Sequence, residues 1–349
     1  MNHFNDFTEV SQTDKAIQPD LEETTSLDYD LIHELRTPLT AIKGALGLLQ
    51  NSQANESFEQ EKRLLDIATK NTERLVAVIT AIENDKSSRL PIFSKPELEP
   101  LKLQSELYSA CNNHQFFLVY QPIVSGENEK IVGFEALVRW QHPSRGLIFP
   151  TKFIPAIEET ELVHSVGFWI LQQACKQLKE WQIQSPKNAT LTISVNLSAL
   201  QLLNPDLVSK VQEICQEAEI SPRNLCLEIT ESILLNSTSQ VTETLEGLRS
   251  LGIKIYLDDF GTGYSSLARL HEMQIDVIKI DRYFVCRKQW NIIRYILNLT
   301  QDLGLGVVTE GVENVEELAQ LKALGEQNFQ GYLFSKPVTA EKASQLLIS

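Results

Sequence analysis

The sequence has no closely spaced cysteines, no long apolar run and no excess of basic residues. Its five cysteines are scattered singly without a CxxC motif, which argues against a zinc or disulfide framework and for buried thiols in a reducing compartment. No apolar run approaches the roughly 20 residues that a membrane helix needs. No basic-then-apolar signal peptide is present at the start. We therefore expect a cytoplasmic protein without membrane insertion.

The charge balance is acidic. Lys and Arg number 31 against 46 Asp and Glu, so the formal net charge is -15. Such a surface repels polyanions, and bulk binding of nucleic acid is not expected. An anionic substrate would need a local cation to offset this repulsion. With 349 residues, 42% of them hydrophobic, the chain is long enough for two domains with real cores.

The first hundred residues divide into three regions. Residues 1–26 are polar and are predicted to be a flexible arm. Residues 27–86 carry two apolar stripes at helical spacing, within 27–50 and 59–83, which predict a two-helix hairpin. A hairpin of this size cannot bury both stripes alone, so we expect a homodimer in which two hairpins form a four-helix bundle. Residues 87–100 contain three prolines and are predicted to be a linker.

Residues 101–349 alternate short apolar runs with longer amphipathic stripes. Eight runs are typical of strands, from FFLVYQPIV at 116–124 to QNFQGYLFS, and helical stripes such as Lys152 to Trp181 separate most of them. This alternation indicates an α/β fold, and eight strands in about 250 residues suit a closed TIM-like (β/α)8 barrel. The first two strands have no helix between them, so we expect the barrel to depart from the ideal there.

Polar residues lie at the ends of these apolar runs. Because catalytic residues of such barrels lie at the carboxyl ends of the strands, we expect six side chains to meet at one mouth. They are Glu135, Asn196, Glu228, Asp258, Asp259 and Glu310. Carboxylates at this density need a counter-charge, and oxygen ligands suit Mg²⁺ or Mn²⁺. The set favours two metals bridged by one Asp, which is an arrangement for phosphoryl transfer, and Lys279 adds a cation.

The region 101–349 resembles the EAL-domain phosphodiesterases, which hydrolyse cyclic di-GMP to linear pGpG. The resemblance covers nearly the whole region and rests on eight segments. These are YQPI at 120–123, FEALVRW around Glu135, SVNLS at 194–198, LEITES at 227–232, DDFGTGYSSL at 258–267, IKID at 278–281, EGVE at 310–313 and QGYLFSKP at 330–337.

The resemblance implies a role for each matching residue. It implies a first metal held by Glu135, Asn196, Glu228 and Asp258, and a second held by Asp258, Asp259 and Glu310. It implies that Lys279 positions the attacking water and that Gln330 lines the same mouth beside Glu135 and Glu310. The implied substrate contacts are Gln121, Leu137, Arg139, Asp281 and Glu313. Glu231 is implied to hold the loop Phe260 to Ser266, whose glycines let it move.

The chain departs from the family pattern in three places. The connection after IKIDRYFV is short, in a region that the family uses for dimer contacts, so the resemblance does not extend to the family's usual barrel dimer and its regulation. Gly325-Glu326-Gln327 stands where the family usually has Gly-Cys-Asp, and Thr309 stands where it usually has Ala. None of these departures removes an implied metal ligand.

The segment HELRTPLTAI, at 33–42, is similar to the H-box of the histidine-kinase dimerisation and phosphoacceptor (HisKA) domain. This resemblance spans about 27–86 and implies that His33 is the phosphoacceptor, with Glu34 accepting its proton and Thr37 assisting dephosphorylation. No ATP-binding domain is recognisable, so a separate histidine kinase would have to act on His33. The alternative is that the hairpin is only a dimeriser.

Three functions are compatible with these patterns. The chain could be an active metal-dependent phosphodiesterase, a non-catalytic receptor for cyclic di-GMP, or a phosphorelay scaffold. Degenerate relatives typically lose a metal ligand or the lysine, whereas all of these are present here. The sequence therefore favours the enzyme.

Overall fold

The structure is a computed structural model that describes residues 106–160, 162–235, 238–261 and 275–348. It also describes 68–76 and the positions 35, 38–39, 42–43, 65, 79, 103 and 270. The chain divides into two compact units, Met1–Lys102 and Leu103–Ser349. Every described residue of the first unit is helical. The predicted arm, the linker and most of the hairpin, including His33, lie outside the described residues.

The second unit is a closed barrel, as the strand count predicted. Its described strands are β1 (Phe116–Ser125), β2 (Ile131–His142), β3 (Gly146–Ile148), β4 (Thr192–Asn196), β5 (Leu225–Thr230), β6 (Lys254–Phe260), β7 (Val277–Ile280), β8 (Gly306–Thr309) and β9 (Asn328–Gln330). The barrel order is β1-β2-β4-β5-β6-β7-β8-β9, with β9 returning to β1. The short β3 pairs with the far end of β2 and lies outside the ring. All eight predicted runs are strands of the barrel.

Helices cover the outside of the barrel. After β3, the described helices are α1 (Pro150–Glu158), α2 (Leu162–Gln184), α3 (Ala199–Leu202), α4 (Leu207–Glu217), α5 (Glu231–Leu235), α6 (Ser239–Ser250), α7 (Arg282–Cys286), α8 (Trp290–Leu303), α9 (Val315–Ala323) and α10 (Ala340–Ile348). Residues 106–112 are also helical and precede β1. None of the helices in the described part of the chain is both long enough and apolar enough to cross a bilayer.

The barrel departs from the ideal at β1, as expected from the missing helix. Strand β1 is antiparallel to both of its neighbours, β2 and β9, whereas the other neighbouring barrel strands are parallel. A short connection can join antiparallel strands only, because a parallel pair needs a crossover of a dozen or more residues. The five residues between β1 and β2 therefore fix the direction of β1.

The predicted helical stripe from Lys152 to Trp181 is helical, but it is divided between two helices, α1 and α2. The break is at Thr160, whose hydroxyl donates to Ile157 O at 2.8 Å. The same hydroxyl accepts the backbone N–H of Leu162 at 3.3 Å. A threonine side chain that bonds backbone groups in this way competes with the helical hydrogen bonds. It ends α1 and begins α2 without interrupting the apolar stripe.

The core has an outer and an inner part. The outer part packs the helices on the barrel wall and includes the fully buried side chains Phe134, Phe153 and Trp181. The inner part is a small apolar cluster inside the barrel, made by Ile123, Cys226, Tyr256 and Val308 with Val277 packed against it. This inner cluster closes the barrel from below and supports the residues described next.

Candidate active site

Side chains inside the barrel form layers, because successive residues of a strand point to opposite faces. Charged side chains lie two positions after four apolar residues of the inner cluster, on the same strands or just after them. These apolar residues are Cys226, Tyr256, Val277 and Val308. The charged side chains are Glu228, Asp258, Lys279 and Glu310. On the antiparallel β1, the corresponding position is two residues earlier than Ile123, at Gln121. Because side chains alternate along a strand with a period of two residues, the direction of each strand places a polar layer on top of the apolar one.

We use the name polar layer for these five side chains together with three more that contact them from β2, β4 and β9. The complete polar layer is Gln121, Glu135, Asn196, Glu228, Asp258, Lys279, Glu310 and Gln330. Residues predicted from the ends of separate apolar runs are therefore brought together in one place. The members lie on all the barrel strands, in agreement with their predicted convergence at the carboxyl ends.

Lys279 is the centre of the polar layer. Its Nζ lies 2.6 Å from Glu228 Oε2 and 2.6 Å from Glu310 Oε1. The same Nζ lies 3.1 Å from Asp258 Oδ1 and 3.4 Å from Glu135 Oε2. Lys279 is only 1% exposed. A buried charge of this kind is tolerated when oppositely charged groups surround it, and here four carboxylates do so.

Three members of the polar layer have a raised pKa. Burial opposes the charge of Lys279, but Asp258, Glu135, Glu228 and Glu310 outweigh it and raise the pKa of the lysine well above its usual value. Burial and the neighbouring carboxylates raise the pKa of Glu228 well above its usual range, against the effect of Lys279. Burial raises the pKa of Glu310 to about 8. The lysine is therefore an ammonium at neutral pH.

Two amides fix the orientation of Glu135. Asn196 Nδ2 donates to Glu135 Oε1 at 2.9 Å, and Gln330 Nε2 donates to Glu135 Oε2 at 2.7 Å. Gln330 Nε2 also lies 3.2 Å from Gln121 Oε1, and Gln121 Nε2 donates to Ser335 O at 3.3 Å. Because each oxygen of Glu135 accepts from a different strand, its carboxylate plane is defined by the barrel itself.

Asp259 joins the site from the end of β6. Its φ is +55°, a left-handed conformation that costs free energy in a residue other than glycine. Its side chain hydrogen-bonds Asp281, and burial, followed by the charges of Asp258 and Asp281, raises the pKa of Asp259 to about 6. Asp281 Oδ1 in turn accepts the backbone N–H of Tyr283 and caps α7. The two adjacent aspartates therefore point into different surroundings.

Glu231 contacts the start of the predicted mobile loop. The carboxylate is 4% exposed, and its Oε2 accepts the backbone N–H of Gly261 at 3.1 Å. Gly261 has φ of +92°, and a Cβ there would meet Phe284 at 2.8 Å, so glycine is required. The loop beyond Gly261, up to Ser266, lies outside the described residues. A holding role for Glu231 stays a prediction that this contact supports.

Two pairs of larger side chains follow the polar layer along the chain, one at β2 and β3 and one after β9, and Tyr332 is close enough to Arg139 to influence its pKa. Arg139 shares a face of β2 with Glu135 and Leu137, and its guanidinium lies 5.6 Å from the centre of the Phe149 ring. Burial lowers the pKa of Arg139, whereas Glu135 and Tyr332 act in the opposite direction. Lys336 Nζ lies 5.3 Å from the Tyr332 ring centre. We call Arg139, Phe149, Tyr332 and Lys336 the rim.

The sequence interpretation missed three of the rim residues. Tyr332 and Lys336 lie within QGYLFSKP, whose match to the family could have identified them. Phe149 follows the short strand β3, which no periodic pattern predicted. Glu313, expected to contact substrate, is exposed, and its backbone N–H donates to Glu317 Oε2 at 2.8 Å.

The polar layer is a chemically suitable set of ligands for a hard divalent cation. Across the described residues, no group of three or more His, Cys, Asp or Glu side chains is arranged to hold a metal. Four carboxylates of the polar layer instead lie 2.6 to 3.4 Å from Lys279 Nζ. Glu228 Oε1 is nevertheless a buried acceptor with no hydrogen-bond partner, and Asp258 Oδ1 has only the ion pair with Lys279. Oxygen ligands with such unused acceptors fit Mg²⁺ or Mn²⁺.

These features together define a class of protein. The chain folds into a closed barrel whose first strand is antiparallel to its neighbours. Inside this barrel, a buried lysine is surrounded by carboxylates at the carboxyl ends of the parallel strands. The chain belongs to the EAL domain family, whose model matches residues 104–337. The His Kinase A (phospho-acceptor) domain model matches residues 29–85.

Comparisons with individual proteins agree with this family. The chain is 39% identical over 256 residues to the bifunctional diguanylate cyclase/cyclic di-GMP phosphodiesterase MucR of Pseudomonas aeruginosa. This match covers 72% of this chain and 37% of MucR. It is 35% identical over 254 residues to the cyclic di-GMP phosphodiesterase NbdA of the same organism, covering 71% of this chain and 32% of NbdA. The chain thus spans about a third of the length of the curated relatives it matches.

Solved structures give the same result. The MucR phosphodiesterase in complex with c-di-GMP matches with a TM-score of 0.66 at 38% identity, over 69% of this chain and 99% of that one. The EAL enzyme Bd1971, bound to cAMP and cyclic-di-GMP, matches with a TM-score of 0.69 at 33% identity. That match covers 81% of this chain and 76% of Bd1971.

Proposed function

We propose that this chain is a phosphodiesterase that hydrolyses cyclic di-GMP to linear pGpG and depends on Mg²⁺ or Mn²⁺. The observation that carries the proposal is the buried ammonium of Lys279 within a layer of four carboxylates. Two relatives with cyclic di-GMP phosphodiesterase in their names, and a MucR structure in complex with c-di-GMP, support the choice of substrate.

The metal ligands we propose are the residues expected from the sequence. Glu135, Asn196, Glu228 and Asp258 would hold one ion, and Asp258, Asp259 and Glu310 the other. Two bound ions would supply an activated water near neutral pH and would offset the charge of the phosphodiester. The unused acceptor Glu228 Oε1 supports this assignment, because a buried carboxylate oxygen without a partner is costly.

The remaining residues of the site would orient the attacking water and the metal ligands, or bind the substrate. Lys279 would donate a hydrogen bond to the attacking water and hold it in line with the phosphorus. Gln330 and Asn196 keep the carboxylate of Glu135 in one orientation. Gln121, Leu137 and Arg139 would contact the dinucleotide, since they lie at or just above the polar layer. Asp281 would act through its bond to Asp259, and Glu313 would contact the substrate from outside.

The direct test uses the purified full chain, cyclic di-GMP and chromatography of the products. We expect pGpG with Mg²⁺ or Mn²⁺, no product in excess EDTA, and inhibition by Ca²⁺, which takes more ligands at longer distances. Full activity in EDTA would exclude metal dependence. Tight binding of cyclic di-GMP with every metal but no product would show a receptor instead of an enzyme.

We also propose that the region 27–86 forms the homodimer and that a separate histidine kinase phosphorylates His33. The match to the phospho-acceptor model supports both parts. Deleting residues 1–90 should weaken dimerisation in light scattering, and His33→Ala should abolish labelling by a cognate kinase with ATP. We place the chain in the cytoplasm, because all five of its cysteines are unpaired.

A further inference from the structure

The junction between β8 and β9 is the weakest backbone pairing in the barrel. These strands share one residue pair, Thr309 with Phe329, whereas β7 and β8 are paired at four positions. Both strands carry members of the polar layer at this junction, because Glu310 follows β8 directly and Gln330 ends β9. One further backbone bond, from Val312 N–H to Gln330 O at 3.2 Å, joins the segment after β8 to β9, so side-chain bonds contribute a large share of the contact here.

A buried carboxylate takes part in these side-chain bonds. Glu326 Oε1 accepts the backbone N–H groups of Gln327 and Asn328, each at 2.8 Å. Thr309 Oγ1 donates to Glu326 Oε2 at 3.2 Å, so one side chain bonds the end of β8 and the start of β9. Asn328 Nδ2 adds a bond to Val307 O at 3.1 Å. Glu326 is 5% exposed and Thr309 is fully buried.

The buried hydroxyl of Thr309 and the buried carboxylate of Glu326 depend on each other. Without Glu326, the hydroxyl at 309 would be a buried donor without this partner, and without Thr309 one buried oxygen of Glu326 would be unpaired. The hydrogen bond between them therefore satisfies both groups.

We propose that Thr309 and Glu326 are a positioning pair that fixes Glu310 and Gln330 within the polar layer. Sliding of β9 along β8 would move Gln330, whose Nε2 lies 2.7 Å from Glu135 Oε2. Glu310 follows Thr309 directly and is held on its other side by β7, because its carboxylate is bonded to Lys279 and its backbone N–H donates to Ile280 O at 2.9 Å. Movement of Thr309 away from β9 would therefore displace Glu310 relative to Gln330. The contacts of the pair are with each other and with the backbone of Gln327 and Asn328, and the pair acts through Glu310 and Gln330. Its catalytic effect rests on the proposed function.

The test compares substitutions that remove the hydrogen bond with substitutions that keep it. Thr309→Val keeps the branched shape and removes the donor. Thr309→Ser keeps the hydroxyl. Glu326→Gln also keeps a bond, because its amide oxygen can accept from the backbone while its NH₂ donates to the threonine hydroxyl. Each full-length variant is measured for kcat, KM, thermal unfolding and Mn²⁺ binding by calorimetry.

We expect Thr309→Val to lower kcat about tenfold at nearly unchanged KM, and to weaken Mn²⁺ binding, because a misplaced Glu310 affects the transition state more than substrate binding. Thr309→Ser and Glu326→Gln should stay within about twofold of the wild type. A lower unfolding temperature with unchanged kcat and Mn²⁺ affinity in Thr309→Val would show a purely structural contact and overturn the proposal.

A double variant tests the pairing itself. Thr309→Ala/Glu326→Cys removes both polar partners at once. We expect it to be more active and more stable than Glu326→Cys alone, because that single change leaves the threonine hydroxyl buried and unpaired. Additive losses would overturn the pairing. If the wild type does not hydrolyse cyclic di-GMP, the proposed function fails, but Mn²⁺ binding and unfolding still decide whether Thr309 and Glu326 act together.

Discussion

The polar layer and the rim lie next to each other in one mouth, but they are held in different ways. Lys279 is 1% exposed and contacts four carboxylates on different strands, whereas Phe149 and Tyr332 of the rim are 54% and 50% exposed. Side chains anchored by several strands keep a fixed geometry, which chemistry requires. Exposed side chains on connections can change with little cost to the fold. We therefore expect substitutions in the polar layer to change kcat and substitutions in the rim to change KM.

The largest effect should follow from removing a carboxylate of the polar layer. Glu135→Ala and Asp258→Asn each delete a proposed metal ligand, and we expect kcat to fall at least about a hundredfold. Binding of cyclic di-GMP should persist through the rim and should be measurable by calorimetry. Glu213→Gln, at an exposed ion pair with Lys210 on α4, is the control and should keep its activity. Near-normal turnover in either variant would contradict the assignment of the site.

A second substitution separates two effects of Lys279, its proposed contact with the attacking water and its competition with a metal for the four carboxylates. Lys279→Met should abolish most of the activity but bind Mn²⁺ about tenfold more tightly, because the ammonium no longer competes for the four carboxylates. Arg139→Gln removes a rim charge that lies farther from those carboxylates and should change Mn²⁺ affinity much less. Calorimetric titration of both variants with Mn²⁺ decides the matter. Equal or weaker binding by Lys279→Met would mean that the lysine helps to assemble the metal site.

The rim should behave differently from the layer beneath it. Phe149→Ala removes the ring beside the Arg139 guanidinium. We expect KM to rise about threefold while kcat stays the same, because a cation–π contact at an exposed site contributes about as much free energy as such a change in KM represents. Phe149→Trp keeps an aromatic face and should restore the wild-type KM. A change confined to kcat would remove the distinction between rim and polar layer.

The smallest effect should be a dependence of stability on pH without metal. The pKa of Glu310 is about 8 in the folded chain and lower when unfolded, so between these values the folded state holds more protons. Stability in EDTA should therefore fall as the pH rises from 6 to 8.5, by roughly 3 °C in the unfolding temperature. Glu310→Gln should show a flatter profile, and Mn²⁺ should offset the loss at high pH. A stability that rises over this range would contradict the assigned pKa.

Much of the polar layer could be predicted from sequence, because the relevant information is local. Glu228, Asp258 and Lys279 each lie in or at the end of an apolar run, and the strand period with the barrel topology is sufficient to bring them together. The contact between Thr309 and Glu326 could not be predicted in this way. The two residues are 17 positions apart, and they meet because β8 pairs with β9 at Thr309 and Phe329 and the backbone turns Glu326 back towards its own strand.

Two other differences between the sequence prediction and the structure also depend on single side chains or very short elements. The end of α1 depends on one hydroxyl, Thr160, within a stripe whose apolar spacing continues without a break. Phe149 reaches the rim because β3 turns the chain back along β2, and a strand of three residues is too short to show a period. Periodicity identifies elements that bury a face, and it carries no information on where a single side chain finds its partner.

The closing of the barrel by β9 also has a consequence for the time course of synthesis. Gln121 on β1 and Gln330 on β9, which hydrogen-bond across that closure, are 209 residues apart. At the usual rate of translation, β1 waits roughly 10 to 40 s for its second neighbour. During this interval it can pair with β2, but its other edge stays open to pairing with another chain. The last few dozen residues therefore decide whether a newly made chain closes its barrel or associates with its neighbours on the ribosome.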